Sequence, residues 1–325
     1  MNYEEARVYL EQVSKYGSVL GLENMKALLD RLDNPQDELK FIHISGTNGK
    51  GSVLAYLSSI LQEAGYKTGR YSSPALFSYR ERIQINGEMI DKDSLARYVT
   101  VIADIVEDMR RSHQAAPTVF EIETAMAMMY FKEKKCDIVV LETGLGGALD
   151  ATNVIRTTLL EVIAPIGMDH MDVLGSTLGE IALQKAGIIK EHTRAVTAAQ
   201  KAEAQSVLEE VCRKKNTLLY TVDPSRIEKV RYGWDVQSFS YKGWKDIQIS
   251  LAGKFQIENA ALALEAAEQL REEGFALTEC QIREGMKKAQ WKGRFSVISR
   301  EPAVILDGAH NPHAAEALKE SLNFY

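Results

Sequence analysis

The chain has 325 residues, 45% of them apolar and 26% charged, a globular composition with length for about two domains. Its 39 basic against 45 acidic side chains leave a net charge of −6, which argues against a protein that grips nucleic-acid phosphates. No apolar run approaches the ~20 residues of a membrane span, the start MNYEEARVYLEQ has no basic region leading into an apolar block, and the three cysteines (Cys136, Cys212, Cys280) are too scattered for a disulfide framework or a zinc pair, so a cytoplasmic protein is expected.

Apolar residues three and four apart over Tyr3–Tyr16 and Leu20–Leu32 predict two opening helices, the second ended by Asn34-Pro35. A β-rich run, Leu39–Ser45, leads into GTNGKGS and a helical period over Ser52–Ala64. Further strand-like runs are Thr68–Ser72, Asp137–Glu142, Leu159–Ile166, Arg194–Ala198 and Thr217–Thr221. Helical stretches fall between most of them, at Ser94–Arg111, Thr118–Lys132, Thr177–Ile188 and Ala202–Lys214. This alternation predicts an α/β fold with a doubly wound, mostly parallel sheet. Between Arg226 and Leu251 aromatic residues alternate without helical period, which suggests a small antiparallel patch. Helices resume at Phe255–Glu273 and Thr278–Ala289, and a new strand pattern starts after a boundary near Trp291–Phe295, followed by a helix from Pro312.

Four blocks carry chemistry. In Ser45–Ser52, glycines between a strand and a helix let backbone N–H groups close on phosphate at a helix N-terminus. Lys50 adds positive charge there and the Ser52 hydroxyl can serve phosphate or Mg²⁺. The spacing departs from G-x-x-x-x-G-K-[ST], because Gly51 separates Lys50 from Ser52 and residue 44 is Ile. The second block is Leu141–Asn153, in which Glu142 ends a strand and so points into the crevice where α/β sheets bind ligands. A carboxylate there suits Mg²⁺; a glycine-rich turn capped by Glu142 is the alternative. The third is Gly167–Lys190, where His170, between Asp169 and Asp172, is open to metal-ligand, base or core roles. Lys185 stands in an apolar helical stretch, a setting in which most lysines snorkel to solvent. The fourth is Gly293-Arg294 with Asp307–His313 (DGAHNPH), in which Arg294 is a candidate phosphate clamp.

Taken together, HISGTNGKGS, YSSP…RERI, the FEIET segment, LETGLGGALDATN, GMDHMDVLG, IALQKAGIIK, IENAALAL and GR…LDGAHNPHA resemble the folylpolyglutamate synthase and dihydrofolate synthase family of Mur-ligase-like ATP-dependent amide ligases. The resemblance implies a P-loop domain over residues 1–293 that binds ATP and folate, and the start of a C-terminal glutamate-ligase domain at 294–325. It implies that ATP phosphorylates a folate or dihydropteroate carboxylate and that L-glutamate then attacks the acyl phosphate. On this resemblance Gly46, Thr47, Asn48, Gly49, Lys50, Gly51 and Ser52 cradle the nucleotide phosphates. Asn259, Arg294, Asp307 and His310 also contact the nucleotide, and Arg82, Phe120 and Glu121 face the folate. Two Mg²⁺ sites are implied, one on Ser73 and Glu142 and one on His170 and a carbamylated Lys185. Lys50, Lys185 and His170 are the implied catalytic residues. The partners are these small molecules, with no nucleic acid or membrane, and a monomer is expected.

Family members usually carry Arg where this chain has Ala148 and Glu where it has Gln184. The first change implies weaker charge pairing in an anion-rich site, and the second an altered surround for Lys185. A Mur-type peptidoglycan-precursor ligase and an inactive nucleotide- or folate-binding relic are the competing expectations. Residues 294–325 are too few for a core of their own, so they must dock, fray or belong to a truncated domain. Truncation with an open, wet cleft, weak nucleotide binding and poor ligation is the expectation from sequence.

Overall fold

The computed structural model describes residues 1–15, 17 and 21–325. Helices α1 (Tyr3–Ser14) and α2 (Glu23–Asp30) open the chain. The predicted ends at Tyr16 and Leu20 lie outside the described residues. Next come β1 (Phe41–Ser45), α3 (Lys50–Glu63) and β2 (Thr68–Tyr71), then a hairpin of β3 (Ile83–Ile85) and β4 (Glu88–Met89) that the sequence pattern does not reveal. Its strands are too short to show an alternation. Helices α4 (Lys92–Arg111) and α5 (Val119–Glu133) precede β5 (Ile138–Glu142) and β6 (Thr158–Ile163). A single turn, α6 (Met171–Leu174), leads to α7 (Leu178–Ala186), β7 (Arg194–Thr197), α8 (Ala202–Lys214) and β8 (Leu218–Thr221). The expected antiparallel patch is a three-stranded sheet of β9 (Ile227–Arg231), β10 (Gln237–Tyr241) and β11 (Trp244–Ile249). Then follow α9 (Gln256–Glu272), α10 (Glu279–Lys288), the hairpin β12 (Ser296–Arg300)–β13 (Ala303–Leu306) and α11 (Pro312–Leu322).

The described strands of the main sheet run in the order β4-β3-β2-β5-β1-β6-β7-β8, parallel from β2 to β8. The chain leaves β1 for one side of the sheet and later returns to its other side at β6. Strand order therefore reverses at β1, and the loops after β5, β1 and β6 open a crevice at one edge. β1 and β5 are buried along their whole length, the signature of strands covered on both faces. One face packs on α3, α9 and α10 through Leu57, Ile60, Leu264 and Ile282. The other packs on α1, α2, α4 and α5 through Leu10, Leu28, Val99 and Phe131.

Residues 294–325 dock on this body rather than fray. The Tyr325 hydroxyl donates to Gln237 Oε1 at 2.8 Å and accepts the Gly253 N–H at 3.2 Å. The Tyr325 ring lies 5.0 Å from Trp234 and 5.1 Å from Phe295, centroid to centroid. Ser321 Oγ accepts the Lys254 N–H at 3.0 Å, which ties α11 to the loop before α9.

Candidate active site

The turn after β1 enters α3 through Gly49, whose φ of +86° is left-handed. A Cβ there would stand 2.4 Å from Asn259 Oδ1, so both conformation and space require glycine. No side chain caps α3, which leaves its first N–H groups facing the crevice with the positive end of the helix behind them. The Thr47 and Asn48 N–H groups are instead committed to Pro165 O, at 2.9 and 3.2 Å. This narrows the expected cradle, since these two residues brace the loop through their amides. Ser52 Oγ accepts from Gln256 Nε2 at 3.0 Å, and Asn259 Nδ2 donates to Gln256 Oε1 at 3.1 Å. Together they fasten α9 to the start of α3.

Lys50, Ser73, Glu142, His170, Lys185, Asn259, Arg294, Asp307 and His310 all line one cavity of about 550 Å³ together with Gly46–Ser52. Lys50 Nζ donates to Gly46 O at 3.2 Å and lies 4.0 Å from Glu142 Oε1. Glu142 is buried at the end of β5, and its Oε2 has no protein partner. Burial pushes its pKa up to about 7, against the pull of Lys50, Arg294, the Ser73 N–H and Arg70. Lys185, buried on α7, donates to Gly46 O at 3.0 Å. Burial first, and then Lys50, lower its pKa to about 7. The snorkelling alternative is thereby overturned: the last turn of α7 points into the crevice, where the Gly46 carbonyl receives the amine. His170 sits at the rim with its side chain 53% exposed and a left-handed φ of +49°. The structure thus removes its core-residue reading.

Asp307 commits both oxygens to backbone, accepting from Phe295 N and Ala309 N at 2.7 Å each. It shapes the loop that carries Arg294 and His310. His310 Nδ1 lies 2.9 Å from Gly308 O.

Of the three folate-side candidates, none lines this cavity. Glu121 is buried as the α5 capping box, its Oε2 accepting the Thr118 N–H at 2.7 Å. The carboxylate facing Arg82 is Glu123, at 3.2 Å, and Glu123 also accepts the Tyr79 hydroxyl at 2.6 Å. Phe120 packs over Gly144, where a Cβ would stand 2.6 Å from its ring. Arg82 keeps a buried Nε without a partner. Lys254 also lines the cavity, and Arg70 stands beside it under the Trp291 ring; neither is among the residues the motifs single out. Arg70 alone carried a signal, a basic residue inside the strand next to β5.

Ala148 and Gln184 lie side by side, the Ala148 N–H donating to Gln184 O at 2.7 Å. Neither lines the cavity. The Ala148 methyl packs against Gly187.

Glu142 gives a stability test. Its folded-state pKa lies above the ordinary carboxylate value, so the folded protein holds this proton more tightly than the unfolded chain does. Stability from this group is full below about pH 4.5 and falls as pH rises through about 7. Glu142→Gln is expected to raise the melting temperature at pH 8, without nucleotide or divalent cation, and to leave it nearly unchanged at pH 4.5. Equal effects at both pH values would contradict the buried-carboxylate account.

A P-loop at the switch point of a parallel sheet, with Glu142, Lys50, Lys185 and Arg294 around one cavity, is the arrangement of a nucleotide-binding α/β protein. Residues 44–267 match the Mur ligase middle domain. The dihydrofolate synthase/folylpolyglutamate synthase of Bacillus subtilis is 40% identical over 330 residues, covering 98% of this chain and 76% of the relative. A folylpolyglutamate synthase structure from Thermotoga maritima superposes with a TM-score of 0.88 at 40% identity, over 99% of this chain and 74% of that one. An FPGS–AMPPCP–folate complex superposes with a TM-score of 0.93 at 32% identity, over 100% of this chain and 80% of that one. The chain belongs to the folylpolyglutamate synthase/dihydrofolate synthase family. Membership sets aside the peptidoglycan-precursor alternative. Among the described residues no helix is long and apolar enough to cross a membrane.

Proposed function

We propose that the protein uses ATP to join L-glutamate to the free carboxyl of a folate or dihydropteroate. The observation that carries this is the convergence of Lys50, Glu142, Lys185 and Arg294 on one cavity beside the uncapped start of α3. A carboxylate oxygen of the folate attacks the γ-phosphorus, the bond to the β-bridging oxygen breaks, and ADP departs. The glutamate amine then attacks the acyl carbon, inorganic phosphate leaves, and the amine proton passes to solvent or a basic group. Both steps build negative charge on phosphate oxygens, which fixed cations and helix N–H groups stabilise without reorganising. Lys50 serves the transferring phosphoryl group, and Arg294, lining the same cavity, adds a second cation.

The donor set fits Mg²⁺. Among the described residues no group of three or more His, Cys, Asp and Glu side chains forms a protein-only metal cage. Mg²⁺ usually takes one or two carboxylates and completes its shell with phosphate and water. The unpartnered Glu142 Oε2 with the Ser73 hydroxyl supports one such site, and His170 with Lys185 a second. Mg²⁺ held there supplies charge neutralisation to the phosphates. Lys185 fits carbamate formation, because a buried amine with a pKa near 7 is partly neutral and nucleophilic toward CO₂. Lys185→Ala is expected to lose at least ~10-fold in rate and to recover part of it with acetate or formate. Full activity of this variant without added carboxylate would remove the lysine from the site.

We take residues 1–293 as the nucleotide- and folate-binding unit and 294–325 as the start of a second. The three cysteines, scattered along the chain without pairing, are in keeping with a cytoplasmic location. Incubation with Mg-ATP, glutamate and either dihydropteroate or tetrahydrofolate tests the function directly. Glutamylated product from the first marks a dihydrofolate synthase, and from the second a folylpolyglutamate synthase. ATP binding with no product from either would mean a relic.

A further inference from the structure

Three segments far apart in the chain meet at one buried amide. Asn311 caps α11 and is 6% exposed. Its Oδ1 accepts the Ala314 N–H at 2.8 Å, an ordinary cap bond, and also Asn48 Nδ2 at 3.2 Å. Its Nδ2 donates to Asn48 Oδ1 at 3.1 Å and to Asp169 Oδ2 at 3.0 Å. Both lone pairs and both N–H bonds of the amide are therefore used. Asp169 turns its other oxygen to the His170 N–H at 2.9 Å. Asn48 Nδ2 also lies 3.0 Å from His313 Nδ1. Capping needs only the Oδ1, and Asp, Ser or Thr would supply it as well. The two donated bonds therefore need another explanation.

Thr47 joins two of the same segments a second time, its Oγ1 donating to Gly167 O at 3.1 Å and accepting Gly167 N–H at 3.0 Å. The P-loop and the 167–170 loop are thus one hydrogen-bonded body, and Asn311 is the side chain that attaches α11 to both halves of it.

We propose that Asn311, with Asn48 and Asp169, forms a clasp that docks the start of α11 on the P-loop and sets the loop carrying His170. Asn311 is a positioning residue: it lies next to His310 in sequence but acts on the nucleotide only through the P-loop and Asp169. The clasp ties the position of the 307–313 segment to that of the P-loop. Its relevance to turnover rests on reading the cavity as the nucleotide site, whereas the docking itself does not.

Asn311→Asp tests it, because aspartate keeps the cap acceptor and replaces the two-bond donor with an oxygen facing Asp169 Oδ2 and Asn48 Oδ1. In the nucleotide-free protein, amide hydrogen exchange over 307–320 is expected to quicken at least ~10-fold, the loss of a charge-assisted bond plus new repulsion. KM for ATP is expected to rise by a similar factor, more than kcat falls. Adding Asp169→Asn reverses the polarity of the pair. The amide so introduced can still accept the His170 N–H through its oxygen while its nitrogen donates to the new carboxylate on α11. The double variant is expected to exchange within about threefold of the parent chain. Unchanged exchange in Asn311→Asp, or a double variant no slower than the single, would overturn the clasp. Because exchange is read without substrate, an inactive parent enzyme would refute the proposed function and leave this result standing.

Discussion

Lys50→Ala is expected to lower ATP-dependent ligation about a thousand-fold, the scale of removing one preorganised charge from a developing anion. The structure gives the reason in three parts. Lys50 opens α3, so its ammonium and the helix N-terminus act on the same point. Its Nζ is held by carbonyl oxygen at Gly46, 3.2 Å away, and reaches within 4.0 Å of Glu142 without forming a tight pair. The charge is therefore placed but not neutralised, and it remains available to phosphate. Single-turnover measurement of acyl-phosphate formation checks this, with folding monitored by the melting curve. A variant within tenfold of the parent rate would refute the P-loop assignment. Lys50→Arg is expected to recover little, because the guanidinium is longer and planar where the site holds a compact charge.

The second large effect is expected at Gly51. A Cβ there would stand 2.4 Å from Trp291 Cζ2 and 2.5 Å from Cε2. The indole lies between α3 and the half-buried Arg70, whose guanidinium carbon lies 5.2 Å from the ring centroid. Burial lowers the Arg70 pKa to about 10, against the pull of Glu142 and Glu81, so the cation is held close to the site acids. Gly51→Ala must therefore push a bulky ring out of place, at a cost of about 1–3 kcal/mol. The displacement is transmitted through Lys292 and Gly293 to Arg294, and ligation is expected to fall with stability. Trp291→Ala opens the space at its own cost in packing. The double variant is expected to be more stable than the sum of the singles predicts by at least ~1 kcal/mol. Strict additivity in denaturant unfolding would show that the ring and the glycine do not meet.

The extra glycine between Lys50 and Ser52, an unexplained departure when the sequence is read alone, thus has a tertiary cause. Periodicity cannot reveal it, because Trp291 lies at a distant point of the chain and looks like any core aromatic. The same limit applied to Glu121 and Glu123. Spacing from Thr118 assigns the α5 cap to Glu121, but which acid faces Arg82 depends on where the 73–82 loop lies. Lys185 illustrates the opposite failure. Its apolar neighbours argue for an exposed amine, while the packing of α7 against the Gly46 carbonyl buries it.

The sequence by itself determined the alternation of the longer strands and helices, though not the β3–β4 hairpin, together with the glycine turn at Ser45–Ser52, the antiparallel patch between α8 and α9, and the family. These are encoded locally, in hydrophobic period, in turn chemistry and in contiguous motifs that survive without knowledge of neighbours. The tertiary structure alone decided that Glu142 and Lys185 both titrate near pH 7. It alone set Ala148 beside Gln184 and brought Asn48, Asp169 and Asn311 to one point. Burial, charge proximity and hydrogen-bond satisfaction are sums over segments remote in the chain, and the reversal of strand order at β1 is what brings those segments together.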